Sequence, residues 1–155
     1  MIPSPLRLEK YFFTKIHVEA CMDDREDPGQ GALTTESNCL QHKKDSSRWM
    51  VALEVRQEND SNNGKPDYLV DIEIVGLFTI EQDYPAEKAD QLVKANAPAL
   101  LYGSVRELVA LLTGRGPFAS VQLPSVAFVD EADLSAKQNR GRSTPRKKPA
   151  ARQKK

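Results

Sequence analysis

The sequence predicts an α+β fold: a four-stranded antiparallel sheet, one strand weak, with two helices on one face. Three observations predict it. Segments 6–20, 48–57 and 68–81 alternate apolar and polar side chains with period two, the mark of half-buried strands. Two helical patterns follow the strands instead of separating them, which favours an antiparallel sheet over a parallel one. A length of 155 residues gives one domain with a real core.

In the first segment, LRLEKYFFTKIHVEA, the period sets Leu8, Phe12, Ile16, Val18 and Ala20 on one face. Glu9, Lys15, His17 and Glu19 fall on the other, where Tyr11 and Phe13 interrupt the polar pattern. Residues 22–47 carry the weak strand. MDDREDPGQG is a loop by composition, and LTTESNCLQ reads as a short edge strand, since polar edges resist unwanted pairing. RWMVALEVRQ then places Trp49, Val51, Leu53 and Val55 on one face. The Asn-, Asp- and Gly-rich NDSNNGKPD is a hairpin-type loop. The strongest strand, YLVDIEIVGLFTIE, turns Val70, Ile72, Ile74, Phe78 and Ile80 one way and Asp71, Glu73, Thr79 and Glu81 the other. Gly76 interrupts it where glycine marks a bulge or a close backbone approach.

Pro85 opens a first helix, AEKADQLVKAN, and Asn96 to Pro98 is expected to break it. A second helix follows, with Leu101, Val105, Leu108 and Leu112 recurring at helical spacing on one face. Gly114-Arg115-Gly116-Pro117 stops it, and an extended run from Phe118 to Phe128 follows. Burying each of those four aliphatic side chains is worth roughly 1.5–3 kcal/mol, so the sheet is expected to cover them.

The formal net charge of zero conceals an asymmetry. All 22 acidic residues lie at or before Asp133, while residues 137–155 hold nine Lys or Arg and no acid. The body therefore carries −9 and the tail +9. This divides the chain into a domain over 1–130 and a basic tail over 131–155 whose composition predicts disorder. The longest apolar runs fall well short of the roughly 18–20 residues that span a bilayer, and no secretory signal is visible. Two cysteines make no disulfide framework, so a reducing cytosol is expected.

No phosphate loop, nucleophile elbow or metalloprotease signature occurs, so neither an enzyme nor a cofactor is expected. His17, Cys21, Cys39 and His42 raise zinc, but a strand separates the first pair by about 13 Å, far beyond what one metal spans. No metal is expected. The basic tail suits phosphate contacts, which makes a nucleic-acid-associated binding protein the alternative functional class.

With the elements placed, the chain resembles the SecB family of protein-export chaperones. Pro98, Leu101, Arg106, Glu107, Arg115, Gly116, Phe118, Leu123, Val126 and Phe128 stand where that family carries its helix and following segment. Gly76-Leu77-Phe78-Thr79-Ile80 looks like the family's G-I-F-S-I, and Thr14 to Ala20 looks like its first strand. The resemblance implies a homotetramer, a dimer of dimers, acting as an ATP-independent holdase in the cytoplasm. Its clients would be unfolded preproteins for export and translocation, or a dedicated client such as an antitoxin. It implies a client groove lined by Trp49, Leu53, Leu101, Tyr102, Phe118 and Leu123. It also implies a docking face for the translocase ATPase SecA at Glu19, Leu69 and Asp71. The chain departs from the family at Gly103-Ser104, at Lys15 where an acid is usual, and in its basic tail, which replaces an amphipathic helix.

Overall fold

The computed structural model describes residues 3–22 and 29–128; the basic tail and its expected disorder lie outside the described residues. Four antiparallel strands run β1 (Leu6–Ala20), β2 (Ala32–Gln41), β3 (Arg48–Glu58) and β4 (Tyr68–Ile80), followed by one helix, α1 (Ala86–Thr113). The sheet order is β1-β4-β3-β2, a Greek-key arrangement that puts consecutive strands β1 and β2 on opposite edges. The weak strand is a full one. Every residue from Ala32 to Gln41 pairs with β3, and its polarity follows from its edge position.

In β3 and β4 the alternation holds as expected. Val51, Leu53, Val55, Val70, Ile72, Ile74 and Phe78 are buried on the face that meets α1. The simple alternation fails in β1, because its pairing with β4 shifts between Leu8 and Lys10 and again between Phe13 and Lys15. Each bulge inserts an unpaired residue and inverts the alternation beyond it. Tyr11 and Phe13 therefore pair with Gly76 and Ile74 on the inner, helix-bearing face, and Phe12 pairs with Val75 on the outer one. The expected grouping of Phe12 with Ile16 is corrected accordingly.

The two expected helices are a single helix of 28 residues with Pro98 inside it. Proline in a helix interior costs about 3 kcal/mol through its missing N–H and ring clash. Here Ala97, Pro98, Leu101 and Tyr102 are all buried around that point, and this packing offsets the local preference to stop. Asn96, the natural cap for a new helix, instead donates its side-chain amide to the carbonyl of Leu92 at 2.8 Å.

The buried face of α1 also differs from the expected one. Ala89, Val93, Ala97, Leu101, Val105, Val109 and Thr113 are buried, whereas Leu112 is 39% exposed. Steps of four residues in a helix of 3.6 per turn advance about 40° each, so this line winds around the axis. The winding follows residues 118–128, which pack along the C-terminal half of α1. Tyr102 donates to the carbonyl of Pro124 at 2.8 Å and Arg106 to that of Leu123 at 2.9 Å. Leu123 is 1% exposed. Leu108 lies partly buried against the core, while Leu111 and Leu112 face outward.

Helix and sheet approach closely at Gly76. A Cβ there would lie 2.8 Å from Leu101 Cδ2 and 2.6 Å from Phe78 Cε2. Gly76→Ala is therefore expected to lower stability by about 1–3 kcal/mol, the usual cost of overpacking a filled core. Gly103→Ala, within α1 and with nothing within 4 Å of the new methyl, should raise it by about 0.5–1 kcal/mol. Denaturant titration of both variants checks the pair, and equal effects would contradict the packing described.

Candidate functional site

Of the six side chains expected to line a groove, five lie in the core of the single chain. Trp49, Leu53, Leu101, Tyr102 and Leu123 are at most 6% exposed, and all five belong to one core cluster. Phe118 is half-buried, its ring edge-on to Tyr68 with centroids 5.7 Å apart. Sequence periodicity identifies these residues as apolar and inward-facing; it does not distinguish a filled core from an open groove.

The open apolar surface of the inner face lies beside them, on β1. Tyr11 and Ile16 face the helix side through their pairing with Gly76 and Ile72, yet stay 45% and 52% exposed. Phe13, stacked edge-on against Tyr11 with ring centroids 6.2 Å apart, and Val18 pack partly against the core between them. The helix lies over β4 with β1 and β3 to either side, and this stretch of β1 stays exposed beside it. A sequence signal for it existed: three successive aromatic residues, Tyr11-Phe12-Phe13, put large apolar rings on both faces of a strand.

A second exposed apolar strip runs along α1. Leu100, Leu111 and Leu112 are 49%, 57% and 39% exposed.

The residues expected to form a docking face do come together. Glu19 pairs with Leu69, and Asp71 lies one row away opposite His17, all on the outer face. Lys15 forms an ion pair with the Asp71 carboxylate, whose other oxygen lies 3.7 Å from Arg56 Nε. His17 Nε2 is 3.3 Å from Glu19. Leu69, Val70, Asp71, His17, Gln57, Glu58 and Asn59 line a shallow depression of about 370 Å³. The departure at Lys15 thus has a structural effect, since it neutralises part of the acidic surface.

The zinc pairs lie apart. Cys21 follows β1 and Cys39 lies on β2, at opposite edges of the sheet, with about 14 Å across the three strand spacings. His42 Nδ1 accepts the backbone N–H groups of Lys44 and Asp45, closing the β2–β3 turn. Among the described residues no group of three or more His, Cys, Asp or Glu is placed to hold a metal, and no helix is long and apolar enough to cross a membrane.

One hydroxyl joins the helix exit to the start of segment 118–128. Tyr68 Oη lies 3.2 Å from the carbonyl of Thr113 and 3.3 Å from that of Phe118, and it accepts the N–H of Phe118 at 3.0 Å. Gly116 leaves room for it, since a Cβ there would sit 2.3 Å from that oxygen. Thr113 completes the clamp by donating to Val109 and accepting from the N–H of Val121.

Comparison with known proteins agrees with this architecture. The model of the SecB family, described as Preprotein translocase subunit SecB, matches residues 12–137. A protein-export protein SecB from Rhodospirillum centenum is 30% identical over 80 residues, covering 52% of this chain and 47% of that protein. Its counterpart from Alcanivorax borkumensis is 36% identical over 69 residues, or 44% and 43% of the two chains. The chain spans about half the length of the curated relatives it matches. Among solved structures, it is similar to the Mycobacterium tuberculosis Rv1957 SecB-like chaperone in complex with a ChAD peptide from the Rv1956 HigA1 antitoxin. There the TM-score is 0.58 at 16% identity, over 78% of this chain and 87% of that one. A protein of unknown function from Streptococcus agalactiae aligns with a TM-score of 0.54 at 16% identity, over 77% and 96%. These two likenesses establish the fold.

Tyr68→Phe is expected to cost about 1–3 kcal/mol by stranding buried backbone groups at the helix exit. It should also expose residues 117–128 to proteolysis before the sheet unfolds, and uniform protection would count against the clamp. Cys39 gives a pH-dependent check. Burial raises its thiol pKa, so at pH 8 a soluble disulfide reagent should modify it more slowly in the folded than in the urea-unfolded protein.

Proposed function

The chain belongs to the SecB family, a family of non-enzymatic chaperones, and we propose that it is an ATP-independent holdase that keeps client polypeptides from aggregating. The observation that carries this reading is the uncovered shelf of β1. A folded domain that leaves Tyr11 and Ile16 half-exposed on the core-facing side of its sheet offers apolar surface beside an unpaired strand edge. Such an edge suits an extended chain, which can add main-chain hydrogen bonds and seat alternate side chains on the shelf. Binding the unfolded state in this way needs neither a nucleotide nor a catalytic group.

The groove residues Trp49, Leu53, Leu101, Tyr102 and Leu123 then form the wall behind the shelf, with Phe118 at its end. The exposed leucines of α1 fit a contact between the subunits of a dimer of dimers. Clients would be unfolded preproteins, with Glu19, Leu69 and Asp71 as the face for SecA, or a single dedicated client of the antitoxin kind. The likeness to a chaperone solved with an antitoxin peptide supports the second choice. So does Lys15, because its pairing with Asp71 weakens the acidic surface that a basic translocase segment would need. Family membership supports a cytoplasmic location.

At one-to-one ratio with a denatured client, the full chain is expected to suppress aggregation measured by light scattering. Tyr11→Asp with Ile16→Asp should weaken suppression several-fold while far-UV circular dichroism stays unchanged. Removing residues 137–155 should leave suppression intact. Undiminished activity in the shelf variant, or none in the parent, would refute the assignment. Client co-purification separates a mixture of preproteins from one partner.

A further inference from the structure

The outer face of the sheet, turned away from α1, is divided along its strands. Toward one end, Arg7, Lys10 and Arg48 supply cations. The middle carries the exposed side chains of Phe12, Leu77, Met50 and Leu40 in two adjacent cross-strand rows. Toward the other end, Glu36, Glu54 and Glu73 stand directly opposite one another on β2, β3 and β4. Asp71, Glu58 and Glu19 occupy the rows beyond. Six acids against Lys15 and Arg56 leave this end at −4, with His17 neutral.

Like charges directly opposite one another destabilise a sheet, so a row of three carboxylates favours any cation laid across it. The face supplies such cations only in part. Lys15, paired across the strands with Glu73, turns its ammonium to Asp71, and Arg56 bonds Glu54. Among the described residues, Glu36 and Glu73 are left without an ion pair.

The counter-charge is present in the same chain. Residues 137–155, outside the described residues, supply nine Lys or Arg and no acid. The other acidic run of the body is already used. Glu81, Asp83, Glu87 and Asp90 precede or open α1, where acids complement the positive end of the helix dipole, and Asp90 pairs with Lys94 at 2.8 Å.

Chain length permits the contact. Phe128, the last described residue, sets its ring edge-on to Tyr102 on the helix side, with centroids 6.0 Å apart. A path from there round an edge of the sheet to its outer face is on the order of 40 Å. It comprises a helix diameter of about 10–12 Å and strand spacings of about 4.8 Å out and back. The eighteen residues from Phe128 to Arg146 reach up to about 60 Å at roughly 3.3 Å each.

We propose that the basic tail, residues 137–155, docks within its own chain on the acidic end of the outer face, covering the row Glu36, Glu54 and Glu73. Tethering gives the tail an effective concentration on the order of millimolar, so individually weak ion pairs suffice to hold it. The contact depends neither on the β1 shelf nor on the holdase reading. Where it meets the proposed SecA face at Glu19 and Asp71, which rests on that reading, the tail competes with SecA for the same surface.

Zero-length carbodiimide cross-linking of the full chain tests this, because it joins only amines and carboxylates already in contact. In about 20 mM salt, Lys147 or Lys148 is expected to couple to Glu36, Glu54 or Glu73, as read by mass spectrometry of the digested protein. About 0.5 M salt, which shortens the screening length severalfold, should abolish the product. An equimolar mixture of isotopically heavy and light chains should give only heavy–heavy and light–light products. Mixed products would place a second copy's tail on the face and overturn the proposal. Limited trypsin cleavage supplies a second readout. In low salt, Glu36→Lys with Glu73→Lys should speed cleavage within residues 137–155 several-fold, and Glu36→Gln with Glu73→Gln by less, while circular dichroism stays native. Equal tail cleavage in the parent and both variants, or coupling of the tail only to carboxylates outside this face, overturns it as well.

Discussion

The contact between Leu101 and Gly76 is the constraint on which the rest of the molecule depends. A helix can approach a sheet this closely only where the strand carries no side chain, and Gly76 lies in β4, flanked by both β1 and β3. With Leu101 seated there, α1 is centred over β4, with β1 and β3 to either side. Its two halves then have different tasks. The N-terminal half buries Ala89, Val93 and Ala97, and the C-terminal half turns Val109 and Thr113 under residues 118–128.

This centring accounts for where apolar surface remains. A single helix cannot cover four strands, and although α1 reaches β1, the inner face of that edge strand stays open at Tyr11 and Ile16. The segment after the helix occupies one flank of α1 and leaves its leucines on another. Exposed apolar patches on a folded domain are a liability unless they bind something. Here they occur on separate surfaces: the β1 shelf, the helix strip and the outer face of the sheet. The proposed binding of unfolded clients gives a reason to keep such surfaces, and charged neighbours such as Lys10, Lys15 and Glu36 limit indiscriminate pairing along the sheet.

Tyr68 links the two layers. It is the first residue of β4 and its hydroxyl holds the carbonyl end of α1 and the start of the segment that follows. Glycine at 114 has a right-handed conformation, φ −64°, so the helix does not end through a left-handed cap. Its end is set by these tertiary hydrogen bonds and by the space that Gly116 leaves for the tyrosine ring. Gly116, read from the sequence as part of the helix stop, is therefore a packing requirement of the tyrosine.

The strand pattern of β3 and β4, the edge character of β2 and the close approach at Gly76 were all legible in the sequence, because period-two burial and a lone strand glycine are local signals. The grouping of Glu19, Leu69 and Asp71 was legible through family resemblance, and the register brings them together. What tertiary structure decided is different in kind. Two bulges in β1 moved Tyr11 and Phe13 to the inner face and Phe12 to the outer, which no single-strand period contains. Burial around Pro98 carried one helix through a point where local propensity stops it. The segment 118–128 drew the buried line of α1 from Leu108 and Leu112 toward Val109 and Thr113. Local sequence determined which side chains are apolar and how often they recur; only the packing of distant segments determined which of them are covered, because coverage depends on what lies opposite.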